Sequence, residues 1–234
     1  EGLVSVAGGR GDEHHAQPLA VSITQSSECG TVYTPDEIAQ LAQLAHERGM
    51  VFHLDGARIW NAAAALDLPF RAFTTDVGVD LVSLGATKNG AMAAEAVVVI
   101  NPEVVEGMLY LRKFTMQLAS KMRFISAQIQ ALFTDGLGLG LAQHANQMAA
   151  LLRQALEEKI AAGEISGLSF TQPTQVNGVF AAMANPAADR LRETVRFYDW
   201  DRDAGEVRWM CSYDTTAEDI DWFVDQIHAV LPGR

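Results

Sequence analysis

The chain has little to cross-link itself with: two cysteines in 234 residues, Cys29 and Cys211, far apart in sequence. That argues against a disulfide framework or a cysteine-knuckle metal site and makes a reducing cytoplasm the default expectation. Basic residues are also scarce. Seventeen Lys and Arg face 29 Asp and Glu, a formal net charge of -12, which disfavours nucleic acid and anionic membranes as general partners. No apolar run approaches the roughly 18 residues needed to span a bilayer. Glu1-Gly-Leu-Val4 lacks the basic-then-apolar order of a signal peptide. No His, Cys, Asp or Glu grouping has metal-ligand spacing, so no metal is expected; His14 and His15 are adjacent, and adjacent side chains on a strand point opposite ways. Internal repeats and low-complexity segments are absent as well. What remains is ordinary for a globular protein, 49% hydrophobic and 20% charged.

Apolar strand-like runs and helical patterns alternate through the first part of the chain. Leu19 to Ile23 is short and apolar. Thr34-Pro-Asp-Glu37 reads as a helix start, with Thr as N-cap, Pro at the first turn and Glu three residues after the cap. Ile38, Leu41, Ala42, Leu44 and Ala45 continue a helical face that Gly49 stops. Met50 to Leu54, Asp80 to Ser83 and Ala96 to Ile100 read as strands, and Ile59 to Leu66 as a helix. This spacing predicts βαβ units and a largely parallel sheet. Long helices then run from Tyr110 to Ala162, interrupted by Asp135-Gly-Leu-Gly-Leu-Gly140, which reads as a loop. Strands near Ser169, at Gly178 to Ala182 and at Val207 to Tyr213, with helices from Pro186 and Ala217, complete a tail. The expected organisation is an α/β part over residues 1–135 and a smaller C-terminal α+β part over 136–234. The Gly-rich turn Gly8-Gly-Arg-Gly11 precedes its strand rather than following it, which does not suit a nicotinamide fingerprint.

The chemistry gathers around two strand ends. In His53-Leu-Asp-Gly-Ala-Arg58, a strand delivers Asp55 at its carboxyl end, where ligands bind in open α/β sheets. The bland alternative for Asp55 is a cap on the following helix. Lys88 follows the next strand, in Ala86-Thr-Lys-Asn-Gly-Ala91, a loop of small residues where a merely solvated lysine gains nothing. A carboxylate and a lysine at adjacent strand ends can grip one ring from two sides, as pyridoxal 5'-phosphate requires: an acid beside the pyridine nitrogen, an amine for the aldehyde. Thr87 offers a hydroxyl for the phosphate. For any single lysine, an ordinary loop position is the commoner outcome; the pairing is what shifts the balance.

Ser22-Ile-Thr-Gln-Ser-Ser-Glu-Cys-Gly-Thr-Val-Tyr33, His53 to Arg58 and Ala86 to Ala91 followed by Glu95-Ala-Val-Val98 together resemble the low-specificity threonine aldolases of the β-eliminating lyase group. The Thr-Lys-Asn-Gly form is similar to the branch that includes phenylserine aldolases. The resemblance implies a fold type I pyridoxal-phosphate enzyme with an aspartate-aminotransferase-like large domain. By motif, Lys88 would bond the cofactor aldehyde, Asp55 would partner the ring nitrogen, and Arg58 would contact the cofactor's phenolic oxygen near the substrate. Arg208, in Val207-Arg-Trp-Met-Cys-Ser-Tyr-Asp214, matches the clamp for a substrate α-carboxylate, a task suited to a planar guanidinium; its alternative is an edge-strand arginine on solvent. Arg123, after Met122, resembles an arginine that reaches a neighbouring subunit's cofactor phosphate, and His14 a histidine near the substrate β-hydroxyl. His46, His144 and His228 read as surface, and the four tryptophans as packing.

The implied reaction cleaves a β-hydroxy-α-amino acid, of the threonine or phenylserine type, to glycine and an aldehyde. Its partners are a small amino-acid substrate and further copies of the chain, as a homodimer or homotetramer in the cytoplasm. β-Elimination or transamination on the same fold, and a catalytically incomplete fragment, are the alternatives. The family's phosphate-binding Gly-Thr loop and ring-stacking histidine have no counterpart here, so N-terminal residues of a longer protein are expected to be missing.

Overall fold

The computed structural model describes residues 8–9 and 11–233; Glu1 to Val4 and Arg10 of the Gly-rich turn lie outside them. The first sheet has the order β1-β2-β3-β4, formed by β1 (Ala20–Thr24), β2 (Val51–Gly56), β3 (Leu81–Gly85) and β4 (Glu95–Val99). β1, β2 and β3 are parallel, and β4 returns antiparallel to β3. Helix α1 (Pro35–His46) starts as its sequence predicts: Glu37 N–H donates to the Thr34 hydroxyl, and Thr34 N–H donates to the Glu37 carboxylate at 2.8 Å. Such reciprocal caps satisfy donors that a helix start otherwise leaves unpaired. Helix α2 (Ile59–Leu66) has the predicted bounds.

Strand alternation sorts the sheet's two faces. Ile23, Phe52, Leu54, Val82 and Leu84 are buried in a core with Ile38, Ala42, Ile59 and Trp60 from the helices. The opposite face carries Ser22, Thr24, His53, Asp55, Ser83 and Val97, none of them buried.

Three helices follow: α3 (Met108–Phe114), α4 (Met122–Phe133) and α5 (Leu137–Ala161). The Gly-rich run is not the loop its composition suggests. Only Thr134–Gly136 connects α4 to α5, and Leu137–Gly140 is already helical. The reason is contact: a Cβ on Gly138 would lie 2.6 Å from the Trp60 ring and 2.8 Å from the Leu132 carbonyl. Here glycine allows a close helix approach rather than a turn.

The second sheet is antiparallel, in the order β5-β6-β8-β7, from β5 (Leu168–Phe170), β6 (Gly178–Met183), β7 (Tyr198–Asp201) and β8 (Glu206–Met210). It packs with α6 (Asn185–Arg192) and α7 (Ala217–Val230) around a second core that includes Leu152, Leu156, Val179, Val207, Trp209 and Ile227. α7 has its own reciprocal cap between Thr216 and Asp219. α5 joins both cores, giving Ala142 to the first and Ala149, Leu152 and Leu156 to the second. α/β architecture with a mainly parallel first sheet is therefore what the pattern predicted. β7 was not anticipated, and the last predicted strand ends at Met210 rather than Tyr213.

His46 is exposed, as expected, but its ring is engaged. Its Nε2 lies 2.7 Å from the Asp80 carboxylate, which also accepts from Phe52 N–H at 2.8 Å and from the Asn101 amide at 2.9 Å. His144 is likewise engaged, with Nε2 2.7 Å from the Thr215 carbonyl. Burial pushes the Asp80 pKa up, but its hydrogen bonds from Phe52, His46 and Asn101 together hold it below the ordinary value. A depressed folded-state pKa contributes stability above the unfolded value, near 3.9, that is lost as pH falls through the folded one. Asp80→Ala should cost roughly 2–4 kcal/mol in urea unfolding, since three donors lose one buried acceptor. Asp80→Asn should flatten the loss of stability below about pH 4; an unchanged acid limb would separate Asp80 from it.

Candidate functional site

Asp55 closes β2 on the unburied face, opposite Thr24 of β1 and Ser83 of β3. It does not cap the helix that follows. Its Oδ1 accepts the Ala57 N–H at 2.9 Å within the turn, and no bond from another side chain to its second oxygen is found among the described residues. The end of β3 is pressed into that turn. A Cβ on Gly85 would lie 2.8 Å from both the Cα and the carbonyl oxygen of Ala57, and the Gly85 carbonyl accepts the Trp60 indole N–H at 2.9 Å. Only a residue without Cβ lets the two strand-end turns nest this closely.

Lys88 sits in the short 3-10 turn Thr87–Asn89 that follows directly. It is exposed, and its ammonium makes no hydrogen bond or ion pair among the described residues. The surrounding loop is held on both sides. Asn89 is buried and donates to the Gly138 carbonyl at 2.8 Å. The Glu95 carboxylate accepts the backbone N–H groups of Ala86 and Thr87, both at 3.2 Å. Thr87's hydroxyl donates to the Ala94 carbonyl at 3.3 Å. Glu95 was quoted in a motif but given no role by sequence reasoning; a carboxylate facing two successive N–H groups across a β-connection needs the fold to be seen.

Arg58 and Arg208, distant in sequence, lie near enough for their charges to interact. Burial lowers the Arg58 pKa, the Arg208 charge lowers it further, and Glu28 and Asp55 partly offset both. Arg208 is not on an edge: β8 lies between β6 and β7, and Arg208 pairs with Phe180 on one side and Tyr198 on the other. Its guanidinium lies 4.9 Å from the Trp200 ring centroid, and its Nε is buried with no hydrogen-bond partner among the described residues. An unsatisfied buried donor on a cation is costly unless a ligand completes it. A shallow depression lined by Ser27, Glu28, Gly30, Arg58, Val176, Asn177, Gly178, Phe180 and Met210 lies beside Arg58. Cys211 supplies no nucleophile, since burial pushes its thiol up to about 12.

Two predicted residues are not drawn into this cluster by any described contact. His14 is exposed, with its backbone N–H donating to Asp12. Arg123 is exposed at the start of α4, its guanidinium 4.7 Å from the Phe124 ring. His53 escaped the prediction altogether, although it stands two residues before Asp55 on the same face.

A family model described as beta-eliminating lyase matches residues 5–185. A low-specificity L-threonine aldolase from Pseudomonas sp. is 39% identical over 223 residues, 95% of this chain and 62% of that protein. One from Pseudomonas aeruginosa is 37% identical over the same shares. Among solved structures, a threonine aldolase from Leishmania major superposes with a TM-score of 0.85 at 27% identity, over 97% of this chain and 66% of that one. A PLP-dependent aminotransferase from Streptococcus suis, at 18% identity and TM-score 0.67, shares the fold. The chain thus spans 62% of the length of the two bacterial relatives.

Glu95→Ala should loosen the Lys88 loop without unfolding the sheet, because it removes one acceptor shared by two N–H groups, about 1 kcal/mol each. Hydrogen exchange at residues 86–91 should accelerate by roughly thirty-fold if both bonds are lost together. Protection equal to wild type would remove Glu95 from this role.

Proposed function

The chain belongs to the beta-eliminating lyase family, and we propose that it is part of a pyridoxal-phosphate-dependent carbon–carbon lyase cleaving β-hydroxy-α-amino acids to glycine and an aldehyde. Substrates of the threonine or phenylserine type suit this reading. The supporting observation is the nested pair of strand ends: Asp55 with one oxygen free, and the Lys88 loop pressed against its turn through Gly85. The residues fit the cofactor. Asp55 would hold the protonated ring nitrogen and Lys88 would bond the aldehyde. Arg58 would meet the phenolic oxygen and Thr87 the phosphate. When bound, the cofactor supplies the electron sink for breaking a bond at the substrate α-carbon.

The chain's own residues then select which bond is aligned. Arg208, with its unpartnered Nε, would fix the substrate carboxylate and so set the orientation of the α-carbon substituents. Arg58 raises the local positive charge, and Glu28 and Asp55 moderate it. His14 is our candidate for taking the β-hydroxyl proton, supported by its motif position ahead of β1.

We also propose a homodimer or homotetramer in the cytoplasm, divided near residues 135 and 136 into a cofactor-binding part and a small C-terminal part. Between Glu106 and Asp135 the chain has no acidic residue but carries Arg112, Lys113, Lys121 and Arg123. The same stretch exposes Tyr110, Phe114, Met116 and Phe124. An apolar, basic strip on an otherwise acidic chain is complementary to a second copy of that chain, and Arg123 would reach the neighbouring site from it.

Borohydride reduction with pyridoxal phosphate, followed by peptide mapping, should place the pyridoxyl adduct on Lys88, and Lys88→Ala should abolish the visible absorbance of the bound cofactor. Adduct at another lysine would overturn the assignment. Arg208→Ala should lower kcat/KM by the equivalent of about 2–5 kcal/mol, the cost of unpairing a desolvated charge; unchanged kinetics would return Arg208 to packing. Release of a keto acid in place of glycine would refute the aldolase reaction itself.

A further inference from the structure

His53 stands one pleat behind Asp55 on the same face of β2, and both ring nitrogens are engaged. Nδ1 lies 2.8 Å from the Ser22 hydroxyl on β1, and Nε2 lies 2.9 Å from the Ser83 hydroxyl on β3. The imidazole thus bridges three adjacent parallel strands. Burial lowers its pKa, and Asp55 only partly offsets this, so the ring is neutral, with one nitrogen donating and the other accepting.

Ser83 is the residue directly across from Asp55 in the β2–β3 register. Neighbouring strands lie about 4.7–4.9 Å apart, close enough for a serine hydroxyl on one to turn and donate to a carboxylate in register on the next. Ser83 does not do so. Its hydroxyl is spent on His53, and the hydrogen bond recorded at Asp55 comes from Ala57 N–H. Thr24, the other flanking hydroxyl, has no hydrogen bond to Asp55 either.

We propose that His53 is a positioning residue: by engaging the Ser83 hydroxyl it keeps that proton off Asp55 and leaves the second carboxylate oxygen open for the ring N–H of pyridoxal phosphate. The inference rests on the cofactor assignment made above. It requires one tautomer, with Nε2 accepting from Ser83 and Nδ1–H donating to Ser22. A hydroxyl has a single proton, and in this arrangement the proton is committed away from the carboxylate. Without the imidazole, Ser83 would turn to Asp55 and compete with the cofactor for the same lone pair.

The test is pyridoxal-phosphate affinity, read by absorbance and fluorescence titration rather than turnover. His53→Phe should weaken binding by about ten-fold, the size of one hydrogen-bond competition. Ser83→Ala alone should stay within roughly two-fold of wild type, because it removes the competing proton along with the bond. The double variant should return to the Ser83→Ala level. Wild-type affinity in His53→Phe, or a double variant as weak as His53→Phe, overturns the proposal. Melting curves and circular dichroism establish that each variant is folded. Should His53→Phe not fold, imidazole ¹⁵N NMR decides: an unprotonated Nε2 that shifts on Ser83→Ala supports the proposal, and a protonated Nε2 overturns it. If wild type neither binds the cofactor nor is labelled at Lys88, the cofactor assignment fails instead, and the tautomer measurement still answers for the Ser83–His53 contact.

Discussion

The contact between Gly85 and the Asp55–Arg58 turn is the constraint on which the site depends. A Cβ there would sit 2.8 Å from backbone atoms of Ala57, which cannot move without shifting the turn that aims Asp55. The Trp60 indole, bonded to the Gly85 carbonyl, carries the contact into α2 and onward. Its ring meets Phe70 and Phe133 at 4.8 Å centroid distances and leaves no room for a side chain at Gly138. Asn89 then ties the Lys88 loop to the Gly138 carbonyl. The lysine loop is therefore braced by β2 and α5 at once, and α5 continues into the core that holds β8 and Arg208. Carboxylate, amine and guanidinium belong to one packed frame, as positioning catalysis requires.

Charge follows the same economy. A chain with a net charge of -12 sets a field against any anionic ligand, so a site for one needs local positive charge. Arg58 and Arg208 supply two such charges; burial is the main cause of the depressed Arg58 pKa, and the Arg208 charge lowers it further. Two half-buried guanidiniums repel unless an anion joins them.

Much of the frame was legible in the sequence because its signals are local. Thr34-Pro-Asp-Glu37 announces a helix through groups three residues apart, and Ile59 to Leu66 shows its period without tertiary help. The placement of Asp55 and Lys88 at neighbouring strand ends was legible because a strand end followed by small residues is recognisable in itself. What was missed depends on partners distant in sequence. His46 looked like a solvent residue because Asp80 is 34 positions away. The Asp135 to Gly140 run looked like a loop because glycine normally disfavours helix; the opposing ring of Trp60 could not be seen. β7 was hidden because Tyr198-Asp-Trp-Asp201 lacks an apolar stripe, and its place comes from pairing with β8. Arg58 and Arg208, 150 positions apart, have no local signal of their proximity.

One signal was present and not used, and it concerns the open face of the first sheet. Parallel strands covered on both sides read as nearly continuous apolar runs. β2 does not: Phe52, Leu54 and Gly56 are buried while Val51, His53 and Asp55 alternate with them. β1 and β3 repeat the pattern with Ser22, Thr24 and Ser83, so three neighbouring parallel strands place their polar residues on one side, in register. A purely structural cover would be served better by valine or isoleucine at these positions. The alternation marks where the sheet gives up packing energy for directed hydrogen bonds. His53 and Asp55, two residues apart, therefore belong to a single polar arrangement across the sheet.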